Sequence, residues 1–208
     1  MPAKPNERQY RMMAQPFGVE TRAGAQKRFD TEFYVEGYAS TFNDPYVLWH
    51  DSWDDVDILE VISPDAFADT DMSDVIMQYD HSGRVFARMS NNTLVVEPDK
   101  HGLFIAADLG KTQLSRSLYE DIDAGLITRM SWAFTIDEED YDRAEHTYVI
   151  KKVRKIYDVS AVYLPADPNT EISARAYFEG DIERRHKEFV ERQRAIARAK
   201  ALIALSSH

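Results

Sequence analysis

The sequence predicts a mostly β or α+β fold: an antiparallel β-barrel or sandwich with one central helix and a long C-terminal helix. Three observations support this prediction. From residue 32 onward, short runs alternate apolar with polar residues and are rich in aromatic and β-branched side chains, which is typical of strands. One internal stretch changes to the period of a helix, and the tail repeats apolar residues every seven positions.

The predicted strands lie on both sides of the internal helical stretch. The first run, "EFYVEGYASTF", ends at a turn with the sequence "NDPY". One later run is a hairpin that turns between Pro98 and Gly102, and the last strand ends at "PADPN". The runs cover residues 32–42, 57–67 (with the strand ending at Pro64), 74–81, 84–90, 92–109, 130–142 and 146–164.

The central helix is predicted from the stretch "TQLSRSLYEDIDAGLI". Leu114, Leu118 and Ile122 recur every four residues, so they share one face of a helix, with Tyr119 beside them. Gly125 supplies the C-terminal stop.

The two ends of the chain differ in composition from the middle. Residues 1–30 are polar and contain three prolines, which predicts a flexible or loosely attached arm before a main domain at 31–177. Residues 178–208 predict a helix, with apolar residues spaced by seven at Ile182, Phe189, Ile196 and Ile203. The matching fourth positions include two arginines, which favours a helix that docks on a partner or on its own domain over a free coiled coil.

Composition excludes several classes of protein. The net charge of −11 is concentrated in the first 177 residues, and an acidic body repels nucleic acid, so we expect no direct DNA or RNA binding. No apolar run approaches the roughly 20 residues that span a bilayer, and the N-terminus has no signal-peptide core, so we expect no membrane partner. The absence of cysteine excludes disulfides, zinc–thiolate sites and a cysteine nucleophile, and fits a cytosolic protein.

The candidate chemistry centres on one serine in the apolar stretch "ITRMSWAFTI". A buried hydroxyl costs stability unless it is hydrogen-bonded, and a lone core serine is the common explanation of Ser131. His81 changes this assessment, because it lies at the end of an apolar strand and a serine nucleophile needs a base within reach. The base needs an orienting group, for which Asp80, Asp158 and a second histidine are candidates. We prefer Asp158, because neighbouring strand residues such as Asp80 and His81 would point to opposite faces.

Known catalytic motifs are otherwise absent. The sequence has no GxSxG, no HExxH, and neither of the glycine-rich nucleotide-binding motifs, so we expect no cofactor. The acidic run "DSWDDVDILE" contains oxygen ligands that calcium or magnesium favour, but it lacks EF-hand spacing. A metal hydrolase that uses Asp54, Asp55 and Asp57 therefore stays open as one alternative, and an exposed acidic loop is the commoner explanation.

Six stretches occur in a recognisable order: "VEGYASTFN" before "SPDAF", then "MQYDHSGRVFARM", "EPDKHGLFIAADL", "DAGLITRMSWAFTI" and "YDVSAVYLPADPNTEI". Over about residues 37–172 the chain resembles the HK97-like prohead (capsid maturation) serine proteases of tailed bacteriophages, whose fold is similar to that of herpesvirus assembly proteases. The resemblance implies that Ser131 is the nucleophile, His81 the general base and Asp158 the orienting acid.

The chain departs from the family pattern at three positions. Ala133 replaces the glycine two residues after the serine, Asp158 replaces a glutamate, and Asp167 replaces the asparagine of the P-A-N-P motif. The herpesvirus enzymes use a second histidine, but His101 and His146 both fall in predicted loops.

The resemblance implies a serine endopeptidase inside the immature capsid in the host cytoplasm. It would cleave the scaffold segment of the major capsid protein and then itself, without a cofactor. The tail from Phe178 onward would be a scaffold-like or targeting extension, or the segment that self-cleavage near residues 171–180 removes. The herpesvirus analogy is compatible with a homo-oligomer. A non-catalytic capsid scaffold or assembly component with the same fold is the alternative, and the distance between Ser131 and His81 discriminates between the two.

Overall fold

The computed structural model describes residues 7–12, 26–52 and 54–162, and this part of the chain is mostly β with one α-helix, as predicted. The helix, α1, spans Gln113–Asp123, and a short 3-10 turn spans Met89–Asn91. The strands are β1 (Gln9–Met12), β2 (Tyr34–Thr41), β3 (Tyr46–Asp51), β4 (Val56–Ile62), β5 (Ile76–Tyr79), β6 (Ser82–Arg88), β7 (Leu94–Pro98), β8 (Gly102–Asp108), β9 (Arg129–Asp142) and β10 (Thr147–Val162).

The strands form two sheets, and β10 is the central strand of the larger one. Its order is β1-β9-β10-β4-β3, with the β5–β6 hairpin attached to β10 farther along. β10 runs antiparallel to β9 over most of its length, and parallel to β4 at residues 147–150 and to β5 at residues 158–161. The smaller sheet is antiparallel, in the order β2-β8-β7. Neither sheet is closed, so the barrel that we considered is wrong.

One hydrophobic core takes side chains from both sheets and from α1. In β4 the burial of alternate residues explains the alternating sequence pattern, whereas β8 is buried throughout. In β9 the rings of Trp132 and Phe134 stack with their centroids 3.7 Å apart. Other core members are Val35, Ile62, Met77, Val96, Ile105, Leu118, Ile122, Ile150, Ile156 and Val159.

Helix α1 begins and ends at the residues that its sequence favours. The Thr112 side chain caps the first turn by accepting the N–H of Ser115, and Gly125 follows the helix with a φ of +72°. Leu118 and Ile122 are buried as predicted, but Leu114 is exposed. The four-residue spacing therefore predicted the helix correctly, but Leu114 does not share the burial of the other two residues.

A close approach between two strands explains why glycine begins β8. A Cβ on Gly102 would lie 1.9 Å from the backbone oxygen of Ser40 in β2, a clash that no side chain can avoid. The glycine of the "GL" dipeptide therefore marks the point where the backbone of β2 approaches the start of β8 most closely.

Two strands lie where the sequence predicts none. Gln9–Met12 form β1, paired antiparallel with β9, although the surrounding arm was expected to be loosely attached. Tyr46–Asp51 form β3, paired with β4, between the predicted turn at 43–46 and the acidic run at 51–60, where no element was predicted. The rest of the predicted arm, at 1–6 and 13–25, lies outside the described residues, as does the predicted C-terminal helix at 178–208.

In the part of the chain that the structure describes, no helix is both long enough and apolar enough to cross a membrane.

Candidate active site

Ser131 lies near the start of β9 and faces away from the core. Met130 and Trp132 on either side of it belong to the core, so the period of the strand turns Ser131 to the opposite face. The residue is only 4% exposed. The sequence placed Ser131 correctly in an apolar strand.

A β-bulge in β10 brings Asp158 to the same face as Ser131. Cross-strand partners share a face, and Ser131 is paired with Ser160 while Ala133 is paired with Asp158. The register shifts between Ile156 and Asp158, so Ile156 stays with the core although it is only two residues away. Because of the extra residue in the bulge, Ile156 points into the core and Asp158, two residues later, points to the opposite face. In a strand without the bulge, both side chains would lie on the same face.

His81 is in the two-residue turn of the β5–β6 hairpin, whereas the sequence predicts it at the end of a strand. Asp80 and His81 have φ values of 51° and 55°, the left-handed region that a tight hairpin turn requires. Two hydrogen bonds attach the turn to β10: the Asp80 N–H donates to Ala161 O at 3.1 Å, and the His81 N–H donates to Ser160 Oγ at 3.1 Å. The parallel pairing of β5 with β10 therefore places His81 beside Asp158 and Ser160.

The three predicted residues form a continuous chain of side-chain contacts. His81 Nε2 is 2.5 Å from Ser131 Oγ, and His81 Nδ1 is 2.6 Å from Asp158 Oδ1. A proton on Nδ1 that is donated to the carboxylate leaves the lone pair of Nε2 to accept the serine hydroxyl. Asp158 is 3% exposed and the His81 side chain 17%, so the contacts are largely shielded from water.

Ser160 is a member of this site that our sequence interpretation missed. Ser160 is fully buried, and its hydroxyl donates to Asp158 Oδ1 at 3.0 Å. Ser160 Oγ also accepts a hydrogen bond from the backbone N–H of His81. Ser160 thus fixes both the carboxylate and the backbone of the histidine turn. The signal was present in "DVS", because residues two apart on a strand share a face.

Within the described residues, the other candidates for the group that orients His81 make no side-chain hydrogen bond to its ring. The carboxylate beside Nδ1 is that of Asp158, while Asp80 holds the turn through its backbone. His101 is exposed in the β7–β8 turn, and His146 contacts Tyr141 at 3.5 Å at the β9–β10 turn.

The acidic run does not form a metal site among the residues that the structure describes, where no group of three possible ligands was found. Asp55 and Asp57 instead flank His50, and the carboxylate of Asp57, which accepts a hydrogen bond from His50 Nδ1, is the main cause of the raised pKa of that histidine. The side chain of Asp55, in the loop before β4, is 97% exposed, and that of Asp57, within β4, is 55% exposed.

Glu60 of the same run is different, because it faces the core and pairs with Arg11 of β1. Arg11 Nε and Nη2 donate to its two oxygens at 2.6 and 2.8 Å, and the Tyr46 hydroxyl donates to Glu60 Oε1. Burial alone lowers the pKa of an arginine, but the Glu60 carboxylate outweighs it and raises the pKa of Arg11. Burial and the same carboxylate raise the pKa of Tyr46 well above its ordinary value, so its hydroxyl remains a donor.

The contacts between Ser131, His81 and Asp158 are of the kind that an activated serine requires. A base within hydrogen-bond reach and an orienting carboxylate behind it are what a serine needs to attack a carbonyl group at neutral pH. No metal or organic cofactor takes part in such an attack.

A family model described as caudovirus prohead serine protease matches residues 19–183 of the chain. The match covers well over half of the chain and includes all three residues of the site. No curated protein and no solved structure matches the chain.

Proposed function

Because the chain belongs to the caudovirus prohead serine protease family, we propose that it is the serine endopeptidase of phage capsid maturation, with Ser131 as nucleophile, His81 as general base and Asp158 as orienting acid. The observation that carries the assignment of residues is the contact chain: 2.5 Å from Ser131 Oγ to His81 Nε2 and 2.6 Å from His81 Nδ1 to Asp158 Oδ1.

Peptide hydrolysis at this site follows from the roles of the three side chains. Ser131 Oγ attacks the carbonyl carbon of the scissile bond while His81 Nε2 takes its proton, and Asp158 stabilises the imidazolium that forms. His81 then donates the proton to the leaving amine, which leaves the acyl group on Ser131. Water, deprotonated by His81, releases the acyl group and regenerates the serine.

The substrates that we propose follow from the family. They are the scaffold segment of the major capsid protein and the protease chain itself, cut inside the immature capsid in the host cell. The segment at 171–180, where we expect one self-cleavage, lies outside the described residues.

Co-expression with the cognate major capsid protein tests the proposal, with intact mass as the readout. The wild-type chain is expected to trim the capsid protein, and Ser131→Ala to leave it at full length because the nucleophile is lost. Ser117→Ala on the exposed side of α1 is the matched control and is expected to trim like the wild type.

Two outcomes would contradict the proposal. Trimming by Ser131→Ala at the wild-type rate would make Ser131 a core serine. Absence of trimming with every variant, the wild type included, would favour the non-catalytic scaffold component.

A further inference from the structure

The backbone next to Ser131 is occupied by the chain's own β1. β1 pairs antiparallel with β9, with Met12 opposite Ser131 and Arg11 opposite Trp132. Ser131 Oγ lies 2.9 Å from the carbonyl oxygen of Arg11. A carbonyl bond is about 1.23 Å long, so the carbonyl carbon of Arg11 lies within about 4.1 Å of Ser131 Oγ.

An extended substrate peptide would pair with the same edge of β9. Proteins often bind extended peptides by adding them as a strand to the edge of a sheet, with side-chain pockets that give specificity. β1 has only four residues, and it is the edge strand of its sheet, beside β9. The peptide bond that follows the contacted carbonyl joins Arg11 to Met12.

The side chain that precedes this bond is held in a buried, charged pocket. Arg11 is 8% exposed, and its guanidinium binds both oxygens of Glu60, which is fully buried on the core face of β4. A carboxylate in this position is costly unless a cation pairs with it. The Tyr46 hydroxyl completes the pocket, and its raised pKa keeps it a donor to Glu60.

A simpler explanation is that β1 is an ordinary edge strand anchored by an ion pair. This would explain the pairing of β1 with β9, but not why the backbone carbonyl and the side chain of Arg11 both make specific contacts. The carbonyl of this one residue contacts the serine of the candidate site, while its side chain binds the buried carboxylate. The ring of Tyr10 also packs edge-on against His81 with centroids 4.8 Å apart, so β1 covers the base as well.

We propose that the β9 edge beside Ser131 is the substrate-strand site, that Glu60 selects a basic side chain immediately before the scissile bond, and that the Arg11–Met12 bond of the chain itself is bound there for self-cleavage. The inference rests on the proposed function, since it uses the same serine. β1 must be cut or displaced before a second peptide can pair with β9.

The cleavage consumes one water and no other reagent. Ser131 Oγ forms an ester with the Arg11 carbonyl carbon, the bond to Met12 N breaks, and that nitrogen takes the proton which His81 removed from Ser131. Water then hydrolyses the ester, with His81 again accepting a proton. The products are residues 1–11 with a new carboxylate and a chain that begins with the free amine of Met12.

The test follows the purified full chain by intact mass over time. The wild type is expected to lose residues 1–11, and Ser131→Ala to remain whole. Arg11→Gln should slow the loss on the order of 100-fold, because it leaves Glu60 without its cation, whereas Arg11→Lys should retain most of the rate. Arg8→Gln removes an exposed cation three residues earlier and is expected to behave like the wild type.

A peptide assay keeps the inference testable if Arg11→Gln disturbs the docking of β1. The ten-residue peptide "NERQYRMMAQ", which copies residues 6–15, is compared with the same peptide carrying glutamine in place of its second arginine. The protease is expected to prefer the arginine peptide on the order of 100-fold, and Glu60→Gln should reduce this preference to a few-fold.

An independent readout separates failure of this inference from failure of the proposed function. A fluorophosphonate probe reports whether Ser131 is reactive, and the trimming of the capsid protein reports the activity. Reactive serine and normal trimming, with Arg11–Met12 uncut and no preference for the arginine peptide, would overturn the inference alone. Absence of both labelling and trimming would overturn the proposed function and the inference with it.

Discussion

Two buried carboxylates lie on the larger sheet, and they differ in the partner that each one binds. Asp158 contacts His81, whose ring can gain and lose a proton, and Ser160 fixes the carboxylate from the same strand. Glu60 contacts Arg11, which stays charged, and Tyr46, which stays protonated. In the roles that we propose, the same functional group at nearly the same burial assists proton transfer in one place and binds a fixed charge in the other.

The comparison predicts that removing the charge of one carboxylate has a different effect from removing the charge of the other. Loss of the charge on Asp158 should affect chemistry far more than stability, because a hydrogen-bonding amide can occupy the same space. Loss of the charge on Glu60 should affect stability and substrate choice, and should not lower the reactivity of Ser131.

The largest effect is expected for Asp158→Asn. An amide at this position favours the wrong tautomer of His81 and offers no charge to the imidazolium, so we expect trimming of the capsid protein to slow about 10³–10⁴-fold. Trimming rates by intact mass and thermal unfolding by circular dichroism are the measurements. Asp137→Asn, which removes an exposed carboxylate paired with Arg154, is the control with a wild-type rate.

A wild-type trimming rate in Asp158→Asn would contradict this assignment and return Asp80 to consideration. A large fall in the melting temperature with little loss of rate would make Asp158 a structural residue, equivalent to Glu60.

The smaller effect on chemistry is expected for Glu60→Gln. This variant leaves the guanidinium of Arg11 buried without its counter-charge, at a cost of about 3 kcal/mol in the free energy of unfolding. The rate at which a small fluorophosphonate labels Ser131 should not fall below that of the wild type, because the probe has no side chain for the Glu60 pocket and the weakened Arg11 anchor releases β1 from the serine. Urea unfolding and labelling rates measure the two quantities.

Two further variants sharpen this prediction. Glu60→Gln combined with Arg11→Gln removes both charges and should recover most of the lost stability. Glu97→Gln breaks the exposed pair with Arg28 and should change neither quantity measurably. Labelling that falls with Glu60→Gln as steeply as with Asp158→Asn would break the distinction between the two carboxylates.

The elements that the sequence predicted well are those with a local signal. Helix α1 follows from its period and from Gly125, and the β7–β8 hairpin from alternation around the turn at 98–102. β1 has no such signal, since it is four residues long and is defined by its pairing with β9, some 120 residues later. β3 was missed because its aromatic and β-branched residues run directly into the acidic loop.

The residues of the candidate site were predicted, but part of the reasoning for Asp158 was wrong. We set Asp80 aside as a strand neighbour of His81, whereas both residues lie in a tight turn. The contact with Asp158 depends on the parallel pairing of β5 with β10 and on the bulge at Tyr157, neither of which has a pattern in the sequence. The pair of Arg11 and Glu60 joins residues 49 apart, and nothing local links them.

The central claim is that His81 and Asp158 activate Ser131, and covalent labelling with a fluorophosphonate tests it most directly. Peptide mass mapping of the wild-type chain is expected to find the adduct on Ser131, with labelling lost in His81→Ala and strongly slowed in Asp158→Asn. An adduct on a different serine, or labelling of Ser131 that is unaffected by either substitution, would contradict the account.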